Sequence, residues 1–134
     1  TDILRSIEPK IKGKIVYCIN LPWHEAMKNL SASSILVVPS RMESLPQSIK
    51  EAFFLKIPVV ATSVGDIPEV IKNNETGIFV PPNDPQSLLE AINSLLENKE
   101  KASKIAESAH DFIIKNFTWE KLISKYIDFY KNLG

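Results

Sequence analysis

Glycine is scarce in this chain: four residues in 134, against nine prolines. No G-x-G-x-x-G and no Walker A sequence occurs, so the two commonest phosphate-cradling loops are excluded. Nor is there a G-x-S-x-G elbow or an H-E-x-x-H helix. Cys18 is the only cysteine, which excludes an intrachain disulfide and any multi-cysteine metal site and fits a reducing, cytoplasmic setting. Charge of one sign is not in excess: sixteen Lys and Arg balance sixteen Asp and Glu. A neutral chain with no basic stripe argues against nucleic acid as a partner. The longest apolar runs, such as Ile35-Leu36-Val37-Val38, have strand length and predict no transmembrane segment. The opening Thr1-Asp2-Ile3-Leu4-Arg5 lacks the apolar core of a signal peptide.

What the chain does have is the composition of an ordinary globular domain, 44% hydrophobic and 24% charged. Area scaling gives about 7,000 Å² exposed when folded against about 22,000 Å² unfolded, enough for one core. A single domain over residues 1–134 is expected, mainly helical over 84–134. Four apolar, β-branched runs read as strands: Ile15–Ile19, Ile35–Val38, Val59–Thr62 and Ile78–Val80. They are apolar at nearly every position, as in parallel strands covered on both faces. Helical patterns lie between them, at Glu25–Leu30 and Pro46–Lys56. Asp84 reads as an N-cap with Pro85 at the first helical position. Leu88, Ala91, Ile92, Leu95 and Leu96 form one stripe; Ala102, Ile105, Ala106, Ala109, Phe112 and Ile113 form another. Thr118 reads as the cap of a last helix, with Phe117 and Leu122 as its staple. The alternation predicts an α/β fold: a Rossmann-like parallel sheet with flanking helices and a helical C-terminal segment. His24 reads as a solvated loop residue and His110 as a helix-face residue.

The informative stretch is residues 39–69, PSRMESLPQSIKEAFFLKIPVVATSVGDIPE. Glu43 precedes the helix and Glu51 lies inside it. Ser44, Gln47, Ser48 and Glu51 share one face, opposite Ile49, Ala52 and Phe53. The helix starts directly after a strand, at the carboxyl end of the sheet, where open α/β sheets bind ligands. Free N–H groups of a first turn attract anions; Leu45, Gln47 and Ser48 can offer them and Pro46 cannot. A carboxylate one to two turns deeper can accept both hydroxyls of a ribose. The same spacing also describes two solvated glutamates, and spacing does not separate the readings.

A longer pattern does. Pro39-Ser40, Glu43-x7-Glu51-Ala52 and Pro58-Val59-Val60-Ala61-Thr62 occur in order. Gly65-Asp66-Ile67-Pro68-Glu69, Thr76-Gly77-Ile78-Phe79-Val80-Pro81-Pro82 and Asp84 follow them. Together these elements resemble the C-terminal, donor-binding domain of glycosyltransferase family 4, the group 1 glycosyl transferases, in the GT-B fold. The resemblance implies a retaining glycosyltransferase of hexosyltransferase type, as in polysaccharide biosynthesis. Its donor would be a nucleotide diphosphate sugar, with no metal and no other cofactor. It implies Glu43 as the catalytic residue at the donor sugar and Glu51 as the ribose ligand. It further implies the backbone of Ser44, Leu45, Gln47 and Ser48 as the phosphate cradle. Front-face attack assisted by the leaving phosphate needs no protein nucleophile.

The pattern departs from the family where Ser44 and Pro46 replace glycines after Glu43, and where Asp66 follows Gly65. The acceptor-binding N-terminal domain and the opening Gly-Arg and Lys-Gly strand find no counterpart in the chain. Residues 15–19 would be the third strand in a sheet of order 3-2-1-4-5-6. The expectation is therefore a chain cut short, pairing across a homodimer, or a rearranged sheet, inactive alone and binding donor at most weakly. Two alternatives remain at this level: a non-catalytic α/β interaction module and part of a sugar-nucleotide epimerase.

Overall fold

Proline sets the limits of the strands, because it cannot donate to a ladder. In a computed structural model, which describes residues 16–118, 123–124, 127–129 and 131–132, β1 is Leu36–Val38, stopped by Pro39. β2 is Val59–Thr62, opened by Pro58, and β3 is Ile78–Val80, closed by Pro81. The helices with both ends described are α1 (Trp23–Ser31), α2 (Gln47–Phe54), α3 (Ile67–Val70), α4 (Pro85–Glu97) and α5 (Lys99–Asn116), and residues 123–124, 127–129 and 131 are helical as well.

The three strands form one parallel sheet in the order β1-β2-β3. Leu36 lies opposite Val59, and Val60 opposite Ile78. The Leu36 N–H donates to Pro58 O at 3.0 Å at one end, and Ser63 N–H to Val80 O at 2.9 Å at the other. β2 is buried along its whole length, so its side chains feed two faces. Val59 and Ala61 pack with Ile49, Ala52 and Phe53 of α2, Ile67 and Val70 of α3, and Ala109 and Ile113 of α5. Val60 packs on the opposite face with Ile78, Val80, Ala91, Leu95 and Ile105. That alternation is why an unbroken apolar run is needed here. No helix among the described residues is long and apolar enough to cross a membrane.

Several expectations are corrected. Val16–Ile19 forms no strand; Val16 is 64% and Ile19 74% exposed. In the expected order two strands separate the third from the fourth, and β1 offers its ladder only to β2 among the described residues. For the same reason β1 is half-buried throughout rather than covered like β2. His24 sits in α1, not in a loop, its imidazole 3.9 Å from the Glu25 carboxylate. Leu96 leaves its stripe and is 51% exposed, while Ala91 and Leu95 are buried. The helix expected over 46–56 is shorter, with Pro46 outside it. Leu122, with the staple it would form, lies outside the described residues.

Candidate functional site

Three loops leave the carboxyl ends of β1, β2 and β3, and backbone contacts fasten the first to the second. Thr62 ends β2, and its buried hydroxyl donates to Ser40 O at 2.5 Å. The Asp66 N–H donates to Ser44 O at 3.1 Å. Between them Gly65 turns through φ +53° against the Glu43 carbonyl; a Cβ there would lie 1.8 Å from that oxygen. Only glycine allows that approach, because it has neither the side chain nor the αL penalty. The backbone of Glu43–Ser44 is thus held by the β2 loop, and the half-buried Glu43 side chain starts from a fixed point.

Leu45 packs against the larger core cluster, which anchors the entry to α2. Ser44 and Gln47 are exposed and Ser48 is half-buried. The N-cap of α2 is Pro46, with no side-chain cap and no acidic residue in the first turn. Asp84 caps α4 by accepting from Ser87 N–H at 3.0 Å, and Asn98 caps α5 by accepting from Lys101 N–H at 2.9 Å. Ser87 holds the Asp84 carboxyl below its usual range, through its hydroxyl first and its backbone N–H second. α2, which starts after the carboxyl end of β1, has no such partner, and neither do α1 and α3, headed by Pro22 and Asp66.

Glu51 follows one turn further along the polar face. It is half-buried, and the indole Nε1–H of Trp23 donates to its Oε1 at 3.0 Å. A carboxylate has about four lone-pair sites, so this bond orients Glu51 and leaves acceptor capacity for two hydroxyls. Sequence reasoning missed the pairing. The indole heads α1, twenty-eight residues from its partner. A lone tryptophan after Pro22 was the only available signal. Glu43 and Glu51 are held separately, the backbone of the first against Gly65 and the side chain of the second by Trp23.

His110 was read as a helix-face residue and does more. Its Nδ1 lies 3.0 Å from Phe54 O, so an N–H there donates to the last carbonyl of α2. Its ring also tilts on that of Phe54, centroids 6.1 Å apart. α5 therefore fastens the far end of the helix that carries Glu51.

Comparison with known proteins bears on the family and the fold. The chain is 32% identical over 120 residues to "Alpha-maltose-1-phosphate synthase" of Mycolicibacterium smegmatis, covering 85% of this chain and 31% of that protein. The sucrose-phosphate synthase from Thermosynechococcus elongatus superposes with a TM-score of 0.85 at 27% identity, covering 98% of this chain and 33% of that one. Anabaena Alr3699/HepE, solved in complex with UDP-glucose, also superposes at 0.85, at 18% identity, over 98% of this chain and 36% of that chain. This chain thus spans about a third of the length of these proteins. The profile of the family described as "Glycosyl transferases group 1" matches residues 4–112, and the chain belongs to that family.

Proposed function

We propose that this chain supplies the donor half of a retaining glycosyltransferase site, which transfers a hexosyl unit from a nucleotide diphosphate sugar to a hydroxyl acceptor. The observation that carries the reading is Glu51, oriented by Trp23 one turn inside a helix whose start lacks a side-chain cap at the carboxyl end of β1. The N–H groups of Leu45, Gln47 and Ser48, with the backbone of Ser44, receive the diphosphate there. Glu51 accepts the ribose diol. Glu43, fixed by the Gly65 contact, takes hydroxyls of the donor sugar near the reacting carbon. The bond from the anomeric carbon to the phosphate oxygen breaks, and the bond to the acceptor oxygen forms on the same face. The acceptor proton passes to the departing phosphate. The protein contributes placement and stabilisation of the leaving charge. UDP-glucose bound to the Anabaena neighbour supports this ligand class.

The test is a titration of uridine, guanosine and adenosine diphosphates into the isotope-labelled chain. Amides of residues 43–51 and the Trp23 indole N–H are expected to shift at millimolar nucleotide. Glu51→Ala should weaken the response about 10- to 100-fold, the loss of one or two hydrogen bonds to a charged group. If none of the three nucleotides moves those signals, the reading fails.

A further inference from the structure

Leu96 belongs by its spacing to the apolar stripe of α4, yet it is exposed. It lines a cleft of about 380 Å³ at the amino ends of the strands, with Ser34 shortly before β1 and Pro58 directly before β2. The cleft lies at the opposite end of the sheet from Glu43 and Glu51 and shares no residue with the donor reading. We propose that it binds a small organic carboxylate with an apolar chain.

One side of the cleft is apolar. Pro58, Leu95 and Leu96 form it, and the first two are buried. A short hydrocarbon chain laid there takes from water the leucine surface that folding leaves exposed. The other groups are polar and charged. Lys56 comes from the turn that ends α2, and Lys99 and Glu107 come from α5. Two ammoniums against one carboxylate leave the cleft net positive. Among the described residues none of these three side chains has a hydrogen bond or an ion pair. Lys99 and Glu107 are eight residues apart on one helix, about 12 Å along its axis. A monoanion can therefore meet an ammonium without meeting Glu107, whereas a dianion is opposed more strongly by that carboxylate. Ser34 and Ser103 add hydroxyl donors. Lys56 carries a further sign. It holds φ +57°, where glycine would cost less. The turn it closes uses backbone groups alone, with Lys56 N–H donating to Phe53 O and Ile57 N–H to Ala52 O. The turn does not call for a lysine side chain, and its place on the cleft gives that side chain a use. The volume lies near the lower end for ligand sites, which suits a chain of a few carbons.

The experiment titrates sodium hexanoate, hexanol and inorganic phosphate, each separately, into the isotope-labelled chain. Hexanoate is expected to shift the methyl signals of Leu95 and Leu96 with a midpoint of about 10–50 mM, as the usual yield per heavy atom gives for a ligand of this size. Hexanol should bind about fivefold more weakly, and phosphate should leave those methyls in place. Lys99→Gln should weaken the hexanoate response about two- to fivefold, the range for one exposed ion pair. Lys56→Gly should weaken it by a like factor while raising the melting temperature, so that lost binding is told apart from lost fold. If hexanoate moves neither methyl signal, the proposal is overturned. Equal binding of hexanol and hexanoate, or an unchanged hexanoate midpoint in both lysine variants, overturns it too, since the ammoniums then take no part. Phosphate displacing hexanoate at a lower concentration would make the cleft an inorganic anion site and overturn it as well.

Discussion

At Gly65 a single hydrogen atom decides how two loops meet. The residue combines a positive φ with the closest backbone approach to Glu43, so a side chain there meets both strain and overlap. The αL strain alone costs about 1–2 kcal/mol. Relief of the overlap must come from moving the Glu43 carbonyl, because both neighbours are backbone. Gly65→Ala is expected to lower unfolding stability by about 2–4 kcal/mol in urea. It should also shift the Glu43 and Ser44 amides more than those of β3. An unchanged urea midpoint would refute the contact. The glycine was legible as part of a motif, since Gly65-Asp66-Ile67-Pro68-Glu69 stands out in the sequence. Its partner was not, because nothing in the order of residues says that position 65 presses on position 43. Trp23 and Glu51 teach the same lesson: the bond between them depends on how α1 lies against α2.

Among the elements, α2 ends in a way the sequence disguises. Ile57 N–H donates to Ala52 O at 2.8 Å and Lys56 N–H to Phe53 O at 3.1 Å, the paired bonds of a Schellman motif. Lys56 occupies the left-handed position at φ +57°, where glycine is the usual residue. With no glycine to mark the stop, the apolar pattern reads on to Lys56, whereas the helix closes at Phe54. Lys56→Gly removes the αL penalty and adds freedom to the unfolded chain; the first effect is the larger. The variant is expected to be about 0.5–1 kcal/mol more stable, read as a higher melting temperature with unchanged amide shifts in β2. A lower melting temperature would mean that the Lys56 side chain itself holds the turn. The strands β1, β2 and β3 were legible because proline and β-branched runs act locally. Val16–Ile19 has the same composition and fails as a strand, since a ladder also needs a neighbour. Local signals give a segment its preference; pairing decides whether the preference is realised.

For the whole molecule, the decisive feature is that one helix serves two cores. α5 gives Ile105 to the cluster on one face of the sheet and Ala109 and Ile113 to the cluster on the other. β2, buried at every residue, separates and joins the same two clusters. The two faces should therefore unfold together while responding differently to small changes in packing. Only the face with Ile113 carries α2, and with it Glu51. Ile105→Val and Ile113→Val each remove one buried methylene equivalent and should each cost about 0.5–1.5 kcal/mol in a single urea transition. Their effects on the site should differ: Ile113→Val shifts the amides of residues 47–51 and the Trp23 indole N–H, whereas Ile105→Val leaves them in place. Two separate transitions would show that α5 does not couple the faces. Equal disturbance of residues 47–51 by both variants would show that packing strain crosses β2 freely, and that the helix under Glu51 is supported by the molecule as a whole rather than by its own face.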